Sequence, residues 1–462
     1  MEEILLIQIF LQKIKSLDLI KTDIKTRIVA IKIIRDVLVF KKKLKSANSK
    51  YLSNDFSSLD IRFVIELSKG TIRMSKRMEY EISKYYNGKI KKLEKLYLVI
   101  LQSAIYQIDY MSTVPNYAVV STSVNITKVF FPKYAGLTNA LLRNMISNRD
   151  VLDKPSRQDS VKYLSTYYSH PEWLVTKWSK KYKFNSLVKL LNYNNSHAEV
   201  WFRYNENKVS FDDIKSNFNK KEYELRKHPD LNNFFTINKS SYILNSQLFQ
   251  KGGISVQSPT NGLIIKLLDP LKNETVLDLC ASPGGKTVAI ADCMSGTGSI
   301  IANDINEDRI ALITDSIKRN KISNVKAEIK DCSNDILLQS SKMIADVPCL
   351  GTGTISKNPD LKWKKTINDL SELTNLQEDI LQNCSKYLKS NGVLVYSTCS
   401  IEEEENWMMI DKFLDKHPNY IVDNAKKYVD SKFTDSKGAI NIKPHIHNMD
   451  GGFAVRLINY ES

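Results

Sequence analysis

The chain has 462 residues, enough for about three domains of average size, so a small disulfide-stapled protein is excluded. Hydrophobic residues make up 42% and charged residues 26%, a balance typical of globular proteins and not of disordered, fibrous or membrane-bundle proteins. No uncharged apolar run approaches the roughly 18 residues of a membrane-spanning helix, and no small-residue cleavage site follows the apolar N-terminal stretch. We therefore expect a cytoplasmic protein without a membrane partner.

The basic excess is concentrated at one end of the chain. Lys and Arg total 67 against 51 Asp and Glu, a formal net charge of +16. Residues 1–150 contain 26 basic and 13 acidic side chains, so 13 of the 16 surplus charges lie in the first third. This surplus favours a polyanionic partner such as nucleic acid or an acidic membrane face, although Lys-rich helices also serve solubility alone.

All six cysteines lie between positions 280 and 399, and none forms a C-x-x-C pair. His is scarce near them, so the usual zinc-ligand spacings are missing and we expect no metal site. Without a secretion signal, a framework of disulfides is not expected either. The cysteines should be free thiols that are either small core residues or reactive groups.

Three patterns follow one another along the chain. Residues 1–150 carry apolar side chains three and four positions apart, which predicts an all-helical domain, and residues 151–250 are less regular and suggest a small connecting α/β subdomain. In residues 251–462 short β-type runs alternate with helical stretches, which predicts a doubly wound, Rossmann-like parallel sheet that binds ligands at the carboxyl ends of its strands. The acidic run 402–405 should open a helix. Strands are predicted over 275–279, 299–302, 344–347 and 393–397.

The segment VLDLCASPGGKTVAIA, residues 276–291, has the pattern of a strand, a glycine turn and a helix. It fits neither the Walker A loop nor G-x-G-x-x-G, which disfavours nucleotide phosphates. Twenty residues after Gly284, Asp304 ends the next predicted strand, where a carboxylate can accept both hydroxyls of a ribose. Asp331 follows another αβ step and is expected at an adenine edge. These positions fit a nucleoside cofactor without a pyrophosphate, of which S-adenosylmethionine is the common one. The alternative is that the glycine turn serves only to pack its helix against the sheet.

Two thiols are expected at the same edge of the sheet. The segment ADVPCLGTGTISKNPDLKW places Asp346 and Cys349 after one predicted strand, and VLVYSTCSIEEEENW places Cys399 at the end of another. A lone Cys at a strand end is more often buried packing than a nucleophile. Two of them, each beside an acid or a helix start, favour a reactive role.

These motifs carry a resemblance to a known family. The CASPGGKT loop, the D-x-P-C-x-G-x-G segment with its NPD-x-KW continuation, and STCS-x-EEEEN resemble the RNA cytosine-5 methyltransferase family. YQIDYMSTVP…GLTNALLRN resembles the RNA-binding antitermination factor NusB. With HPEWLVTKW and KGGISVQSPTNGL, the chain is similar nearly throughout to members that act on small-subunit ribosomal RNA, and the similarity is thin over 180–250. It departs from the family at Ser282, Val347 and Leu350, none of which removes a reacting group.

The resemblance implies a reaction and a site. A methyl group would pass from S-adenosylmethionine to carbon 5 of a cytosine in 16S ribosomal RNA. Cys399 would add to carbon 6, Asp346 would hold or protonate ring nitrogen 3, and Cys349 would assist loss of the carbon 5 proton and release of Cys399. The implied cofactor site consists of Cys280, Ala281, Ser282, Pro283, Gly284, Gly285, Lys286, Asp304, Arg309, Asp331 and Asp346.

Attack on a ring face requires a base that is flipped out of the stack or lies in a loop. Lys357 and Lys362 are candidates for contacts near such a base, and Lys286 could contact either substrate or carboxylates. Solvated surface is the alternative for all three. We expect a monomer that binds 16S ribosomal RNA.

Two other functions stay open at this point. A methyltransferase acting on an amino group would use the same cofactor, but its usual Asn/Asp-Pro-Pro-aromatic motif is missing and it has no need of two thiols. An RNA chaperone or assembly factor with a vestigial methyltransferase fold would not need the intact loop, acids and thiols.

Overall fold

The computed structural model describes residues 22–53, 55–149, 155 and 158–460. The chain forms two compact units, each made from two separate segments. The first comprises Met1–Ser196 and Ile355–Thr366, and the second comprises His197–Thr354 and Ile367–Ser462. Residues 1–21 of the predicted helical domain lie outside the described residues. The domain limits expected at residues 150 and 250 stay predictions.

The N-terminal part of the first unit is helical, as the apolar spacing predicts. Its helices are α1 (Thr22–Leu38), α2 (Leu44–Tyr51), α3 (Ser58–Tyr85), α4 (Lys95–Tyr110), α5 (Asn116–Phe130), α6 (Ala135–Ser147), α7 (Ser160–Tyr167), α8 (Glu172–Lys181) and α9 (Phe184–Asn195). A capping box between Ser57 and Asp60 starts α3, because each side chain binds the other residue's backbone N–H. Buried side chains run without a break from Val99 to Ile108 in α4, which makes it the central core helix.

A small antiparallel sheet opens the second unit, in agreement with the expected connecting α/β subdomain. Its strands have the order β2-β3-β1-β4. The aromatic side chains of Phe202 and Phe235 are fully buried on it. The elements are β1 (Trp201–Tyr204), α10 (Phe211–Asn217), β2 (Leu225–Lys227), β3 (Phe234–Ile237), α11 (Ser240–Leu244), α12 (Gln247–Gln250) and β4 (Ile254–Val256).

A larger Rossmann-like α/β sheet forms the rest of the second unit. Its strands are β5 (Thr275–Asp278), β6 (Ser299–Asp304), β7 (Val325–Ile329), β8 (Ser340–Asp346), β9 (Leu388–Thr398), β10 (Tyr420–Asp423), β11 (Ile440–Ile442) and β12 (Gly452–Asn459). The helices are α13 (Pro259–Leu268), α14 (Gly285–Cys293), α15 (Glu307–Asn320), α16 (Leu361–Lys364, in the first unit), α17 (Ile367–Ser385), α18 (Trp407–Lys416) and α19 (Pro444–His447).

The strand order is β10-β12-β9-β8-β5-β6-β7, with β11 paired to β12. The prediction of a parallel sheet is correct for β5 to β9. It is wrong for β10, β11 and β12, which pair antiparallel. Only nine residues, 443–451, lie between β11 and β12, which is too few for the crossover connection that parallel neighbours require. The sheet is therefore mixed.

Alternate residues of the central strands enter two different hydrophobic cores. Val276, Ile344 and Val395 lie in one core cluster, while Leu277 and Met343 lie in the other. Because neighbouring residues of a strand point to opposite faces, both faces of the sheet are covered. The carboxyl ends of the five parallel strands share one edge, which is where the candidate site lies. Among the described residues, no helix has the length and apolar character needed to cross a membrane.

Candidate active site

The glycine turn lies between the end of β5 and the start of α14, as predicted. Gly284 has a φ of +92°, a left-handed conformation that favours glycine, and a Cβ there would lie 3.1 Å from Cβ of Ser316. Its N–H donates to the carbonyl oxygen of Ala281 at 2.7 Å. A Cβ on Gly285 would meet no atom within 4 Å. The loop thus leaves open space over the first residue of the helix.

A buried acid lies beneath this turn. Asp278 is fully buried, and its Oδ2 accepts a 2.6 Å hydrogen bond from the hydroxyl of Thr287. Within the described residues, Oδ1 has no hydrogen-bond partner. Burial raises the pKa of Asp278 to about 7, against a smaller opposing effect of the Thr287 hydrogen bond. Asp278 is not among the residues predicted from the sequence, although an Asp inside an apolar strand run is a usable signal.

The predicted ribose-binding acid is engaged with the glycine turn. Asp304, at the end of β6, is buried, and its Oδ2 accepts from the backbone N–H of Ser282 at 3.3 Å. Nη1 of Arg309 lies 3.4 Å from the other carboxylate oxygen. Asp331 follows β7, and its Oδ1 accepts from both the N–H and the hydroxyl of Ser333. Three of the expected cofactor residues, Ser282, Asp304 and Arg309, therefore come together.

Lys286 binds a carboxylate, one of the two roles considered for it. Its Nζ donates to Oδ2 of Asp346 at 2.6 Å, and the hydroxyl of Ser397 donates to Oδ1 at 2.8 Å. Burial alone would lower the pKa of Lys286, but the charge and hydrogen bond of Asp346 outweigh it and raise the pKa. Asp346 and Ser397 are register partners on β8 and β9, so the parallel pairing itself fixes this arrangement.

The two predicted thiols meet at the ends of β8 and β9. The Sγ atoms of Cys349 and Cys399 lie 3.3 Å apart, and both cysteines are free. Cys399 is exposed, whereas Cys349 is partly covered. The hydrogen bond with Cys399, followed by burial, raises the pKa of Cys349 well above its usual value. By contrast, Cys280 of the glycine turn has its pKa raised mainly by burial.

A buried acid supports the Cys349 loop. Oε1 of Glu405 accepts from the N–H of Leu350 at 2.9 Å and from Nε2 of Gln377 at 3.0 Å. The same Gln377 nitrogen donates to the carbonyl oxygen of Pro348 at 2.8 Å. The prediction that the acidic run 402–405 opens a helix is wrong, because residues 403–405 form a short 3-10 turn and α18 begins only at Trp407. Glu405 is fully buried because it satisfies the backbone of this loop.

Backbone contacts join the loops that follow the two thiols. The N–H of Gly353 donates to the carbonyl oxygen of Cys399 at 3.0 Å, and the N–H of Gly451 donates to the oxygen of Gly353 at 2.8 Å. A Cβ on Gly353 would lie 2.4 Å from the carbonyl oxygen of Gly451. Because only glycine permits this approach, the loops that contain Gly353, Cys399 and Gly451 lie in close backbone contact.

The expectation that Lys362 contacts a flipped base is wrong, and so is its alternative as solvated surface. Lys362 is fully buried in the first unit. Its ammonium donates to the carbonyl oxygens of Arg73 at 2.8 Å and Ser169 at 2.7 Å and to Oδ1 of Asn195 at 3.1 Å. All of its proton donors are used in fastening the segment 355–366 to the helices. Lys357 of that segment is partly buried.

Family models match three parts of the chain. The model described as 16S rRNA methyltransferase RsmB/F matches residues 265–458, and the NusB family model matches residues 24–147. A model for the ferredoxin-like domain of RsmF/B-like methyltransferases matches residues 170–243. The order of these matches agrees with a helical domain, a small α/β domain and a catalytic α/β domain.

Curated relatives match over most of their length. The chain is 30% identical over 412 residues to the probable ribosomal RNA small subunit methyltransferase B of Bacillus subtilis (strain 168), covering 87% of this chain and 91% of that protein. It is 28% identical over 445 residues to the ribosomal RNA small subunit methyltransferase B of Yersinia pestis bv. Antiqua (strain Angola), covering 95% and 99%.

The fold has a counterpart among solved structures. The crystal structure of PH0851 matches with a TM-score of 0.78 and 24% identity, covering 94% of this chain and 98% of that one. The family models and the curated relatives identify the chain as a member of the RsmB/RsmF family of ribosomal RNA small subunit methyltransferases.

Proposed function

We propose that this methyltransferase transfers a methyl group from S-adenosylmethionine to carbon 5 of a cytosine in 16S ribosomal RNA. A transient covalent bond between Cys399 and carbon 6 of the base makes the transfer possible. The observation that carries the proposal is the pair of sulfur atoms 3.3 Å apart. They follow two adjacent strands, and the Asp346 carboxylate ends one of these strands.

The residues of the glycine turn suit S-adenosylmethionine. The space over Gly285 admits a ligand close to the backbone, and Asp304 presents a carboxylate at the end of β6 for ribose hydroxyls. Asp331 at the end of β7 and the remaining turn residues, Cys280 to Lys286, complete the proposed cofactor site. When bound, the cofactor supplies an electrophilic methyl group. The side chains of the protein carry out the other steps of the reaction.

Cytosine needs a nucleophile because its carbon 5 is unreactive while the ring is aromatic. Sγ of Cys399 bonds to carbon 6, and the electron pair of the 5,6 double bond becomes available at carbon 5. Nitrogen 3 takes up the proton that the Cys399 thiol gives up, and Asp346, held by Lys286 and Ser397, binds the ring at that nitrogen. Carbon 5 then accepts the methyl group, and S-adenosylhomocysteine leaves.

Cys349 completes the cycle. Its raised pKa keeps the Cys349 thiol protonated before the reaction. Once the sulfur of Cys399 has become a thioether, the hydrogen bond that chiefly raises the pKa of Cys349 is lost. Cys349 then gives its own proton to solvent and takes the proton from carbon 5. The electron pair of that C–H bond re-forms the 5,6 double bond as the bond between carbon 6 and Sγ of Cys399 breaks, and the proton on nitrogen 3 returns to the Cys399 sulfur. This division of labour explains why the site contains two thiols.

The test is to locate the transferred methyl group. The full chain is incubated with 16S ribosomal RNA and tritium-labelled S-adenosylmethionine, and the RNA is digested to nucleosides for mass spectrometry. We expect label in 5-methylcytidine at one position that bisulfite sequencing also identifies. The Cys399→Ala protein should leave that position unmodified. Label in N4-methylcytidine, in a methylated adenosine or in protein would overturn the proposal.

A further inference from the structure

A groove of about 770 Å³ lies within the first unit, apart from the residues of the candidate active site. It is bounded by the end of α1, by α3 and by the residues that lead into α4. Its apolar lining comes mainly from Leu38, Val39, Leu98 and Val99. Two rings, of Tyr80 and Trp363, also face it. The indole N–H of Trp363 donates to the carbonyl oxygen of Ile72 at 2.6 Å, which fixes that ring.

Positive charge dominates the rim of this groove. The six lysines that line it are Lys41, Lys76, Lys89, Lys91, Lys92 and Lys95, against a single lining carboxylate, Glu79. Lys76 is paired with Glu172 at 2.9 Å, and Lys41 donates to the carbonyl oxygen of Trp363 at 3.1 Å. The ammonium groups of the other four, all between 89 and 95, form no ion pair or hydrogen bond with any residue that the structure describes.

Two of these ammonium groups, those of Lys41 and Lys95, repel one another. Burial and the neighbouring ammonium of Lys95 both lower the pKa of Lys41. Lys95 also begins α4, whose first turn contains no acidic residue and whose N-cap, Glu94, makes no side-chain capping bond. A cation at the positive end of a helix is unfavourable unless an anion binds beside it. The groove therefore suits a ligand with several negative charges in a row.

We propose that this groove binds the sugar–phosphate backbone of a single-stranded segment of the substrate RNA, as a second contact in addition to the methylated cytosine. Grooves of this kind combine a line of cations with aromatic rings on which bases stack. Here the four unpaired lysines supply the cations, and Tyr80 and Trp363 supply the rings. The inference rests on the proposed function only in taking RNA as the ligand.

Charge neutralisation tests the proposal. The groove variant is Lys89→Gln, Lys91→Gln, Lys92→Gln and Lys95→Gln combined. The matched control neutralises four exposed lysines of the same unit that do not line the groove, Lys128, Lys180, Lys183 and Lys189. Binding of a labelled 12-nucleotide oligouridine is measured for the full chain between 50 and 300 mM KCl. Oligouridine contains no cytosine, so its binding does not depend on the methylation chemistry.

The two variants should differ clearly. Each phosphate contact to single-stranded RNA makes the slope of log K against log salt more negative by about 0.7. Loss of four contacts should therefore make the slope of the groove variant less steep by about 3. Its affinity should fall at least about ten-fold at 100 mM KCl, while the control should change it less than three-fold. Crosslinks from 4-thiouridine RNA should map to residues 80–95 or to Trp363.

Other outcomes overturn the inference. Equal losses in both variants would show that only net charge matters. Unchanged oligouridine binding, with lost binding of polyglutamate or of phosphatidylserine vesicles, would make the groove a docking site for an acidic protein or a membrane. Methylation is scored separately from oligouridine binding. A groove variant that still forms 5-methylcytidine on a long RNA, with a raised KM and an unchanged kcat, has lost binding in the groove and kept the proposed chemistry. Circular dichroism confirms that both variants are folded.

Discussion

The sulfur atoms of Cys349 and Cys399 lie 3.3 Å apart although the two residues are 50 positions apart in the chain. Parallel pairing of β8 with β9 brings their carboxyl ends together, and the Gly353 N–H binds the Cys399 carbonyl oxygen. The contact between the two sulfur atoms raises the pKa of Cys349. In the proposed reaction, Cys399 attacks the base and Cys349 assists its release.

Removing the second thiol should trap the enzyme on its product. With Cys349→Ala, Cys399 still forms its bond to carbon 6, but the carbon 5 proton has no acceptor, so elimination stalls. We expect a covalent protein–RNA species on a denaturing gel with ordinary RNA and cofactor, and a turnover rate at least about 100-fold lower. Cys293→Ala, which removes an exposed thiol of the same unit, should behave like the parent protein. Free turnover of Cys349→Ala at the parent rate would remove Cys349 from the release step.

A methyl group on Gly285 should harm cofactor binding without harming the fold. A Cβ there meets no atom within 4 Å, and alanine is favoured over glycine in helices by up to about 1 kcal/mol. The free energy of unfolding of Gly285→Ala should therefore equal or slightly exceed that of the parent. Affinity for S-adenosylmethionine, measured by calorimetry, should fall at least ten-fold because the methyl group occupies the space proposed for the cofactor.

Gly136→Ala is the matched control for that substitution. Gly136 also lies in a helix with open space at its Cβ, but in α6 of the first unit. The free energy of unfolding of Gly136→Ala should also equal or slightly exceed that of the parent, and the affinity of this variant for S-adenosylmethionine should not change. Parent-like cofactor binding by Gly285→Ala would place the methyl donor elsewhere.

Asp278 should make stability fall as the pH rises. Its pKa is raised to about 7 in the folded protein, against about 3.9 for an unfolded Asp. Between these values the folded chain holds a proton that the unfolded chain releases, so the stabilisation present below pH 4 is lost as the pH approaches 7. The full loss is at most about 4 kcal/mol. Asp278→Asn, measured without cofactor in urea from pH 4.5 to 8, should remove this part of the slope.

The exposed Asp315 provides the comparison. Asp315→Asn should keep the parent's pH dependence, because this side chain is solvated in both states. If Asp278→Asn also keeps it, the buried carboxyl is already ionised at neutral pH and the pKa argument fails.

Gly353→Ala should separate the loops that hold the two thiols. The added Cβ would lie 2.4 Å from the carbonyl oxygen of Gly451. Because that oxygen belongs to the backbone, no side-chain rotation can relieve the overlap. We expect a loss of about 1–3 kcal/mol in stability and, because the Gly353 N–H also fixes the Cys399 carbonyl, a fall in kcat of at least ten-fold. Chemical shifts of a labelled Cys399 should move. Parent-like kcat and stability would contradict the tight packing of these loops.

The sequence predicts the parts of this site that depend on local pattern. The glycine turn, the strand before it and the acids and thiols at strand ends follow from short-range alternation and from parallel strands sharing one edge. The positions of Asp304 and Cys399 at the ends of β6 and β9 were predicted in this way. The antiparallel strands β10 to β12 were not, because their pairing depends on the path of the chain rather than on the periodicity of each strand.

Other residues were missed because their partners are distant in the chain. Lys362 fits a surface pattern, yet it is buried, because its acceptors at Arg73 and Ser169 lie 289 and 193 positions away. Glu405 belongs to an acidic run that resembles a solvated helix start. It is buried because its carboxylate accepts a hydrogen bond from the N–H of Leu350, 55 positions away in the chain. Burial of a charged group is decided by such long-range acceptors and donors, which no local window contains.

The most direct test of the central claim uses RNA that carries 5-fluorocytosine at the methylated position. Fluorine cannot leave carbon 5 as a proton does, so the bond to the attacking sulfur persists through denaturing electrophoresis. The parent and Cys349→Ala proteins should both remain attached to this RNA when cofactor is present, and Cys399→Ser should not. A Cys399→Ser protein that still forms the attached species would contradict the account.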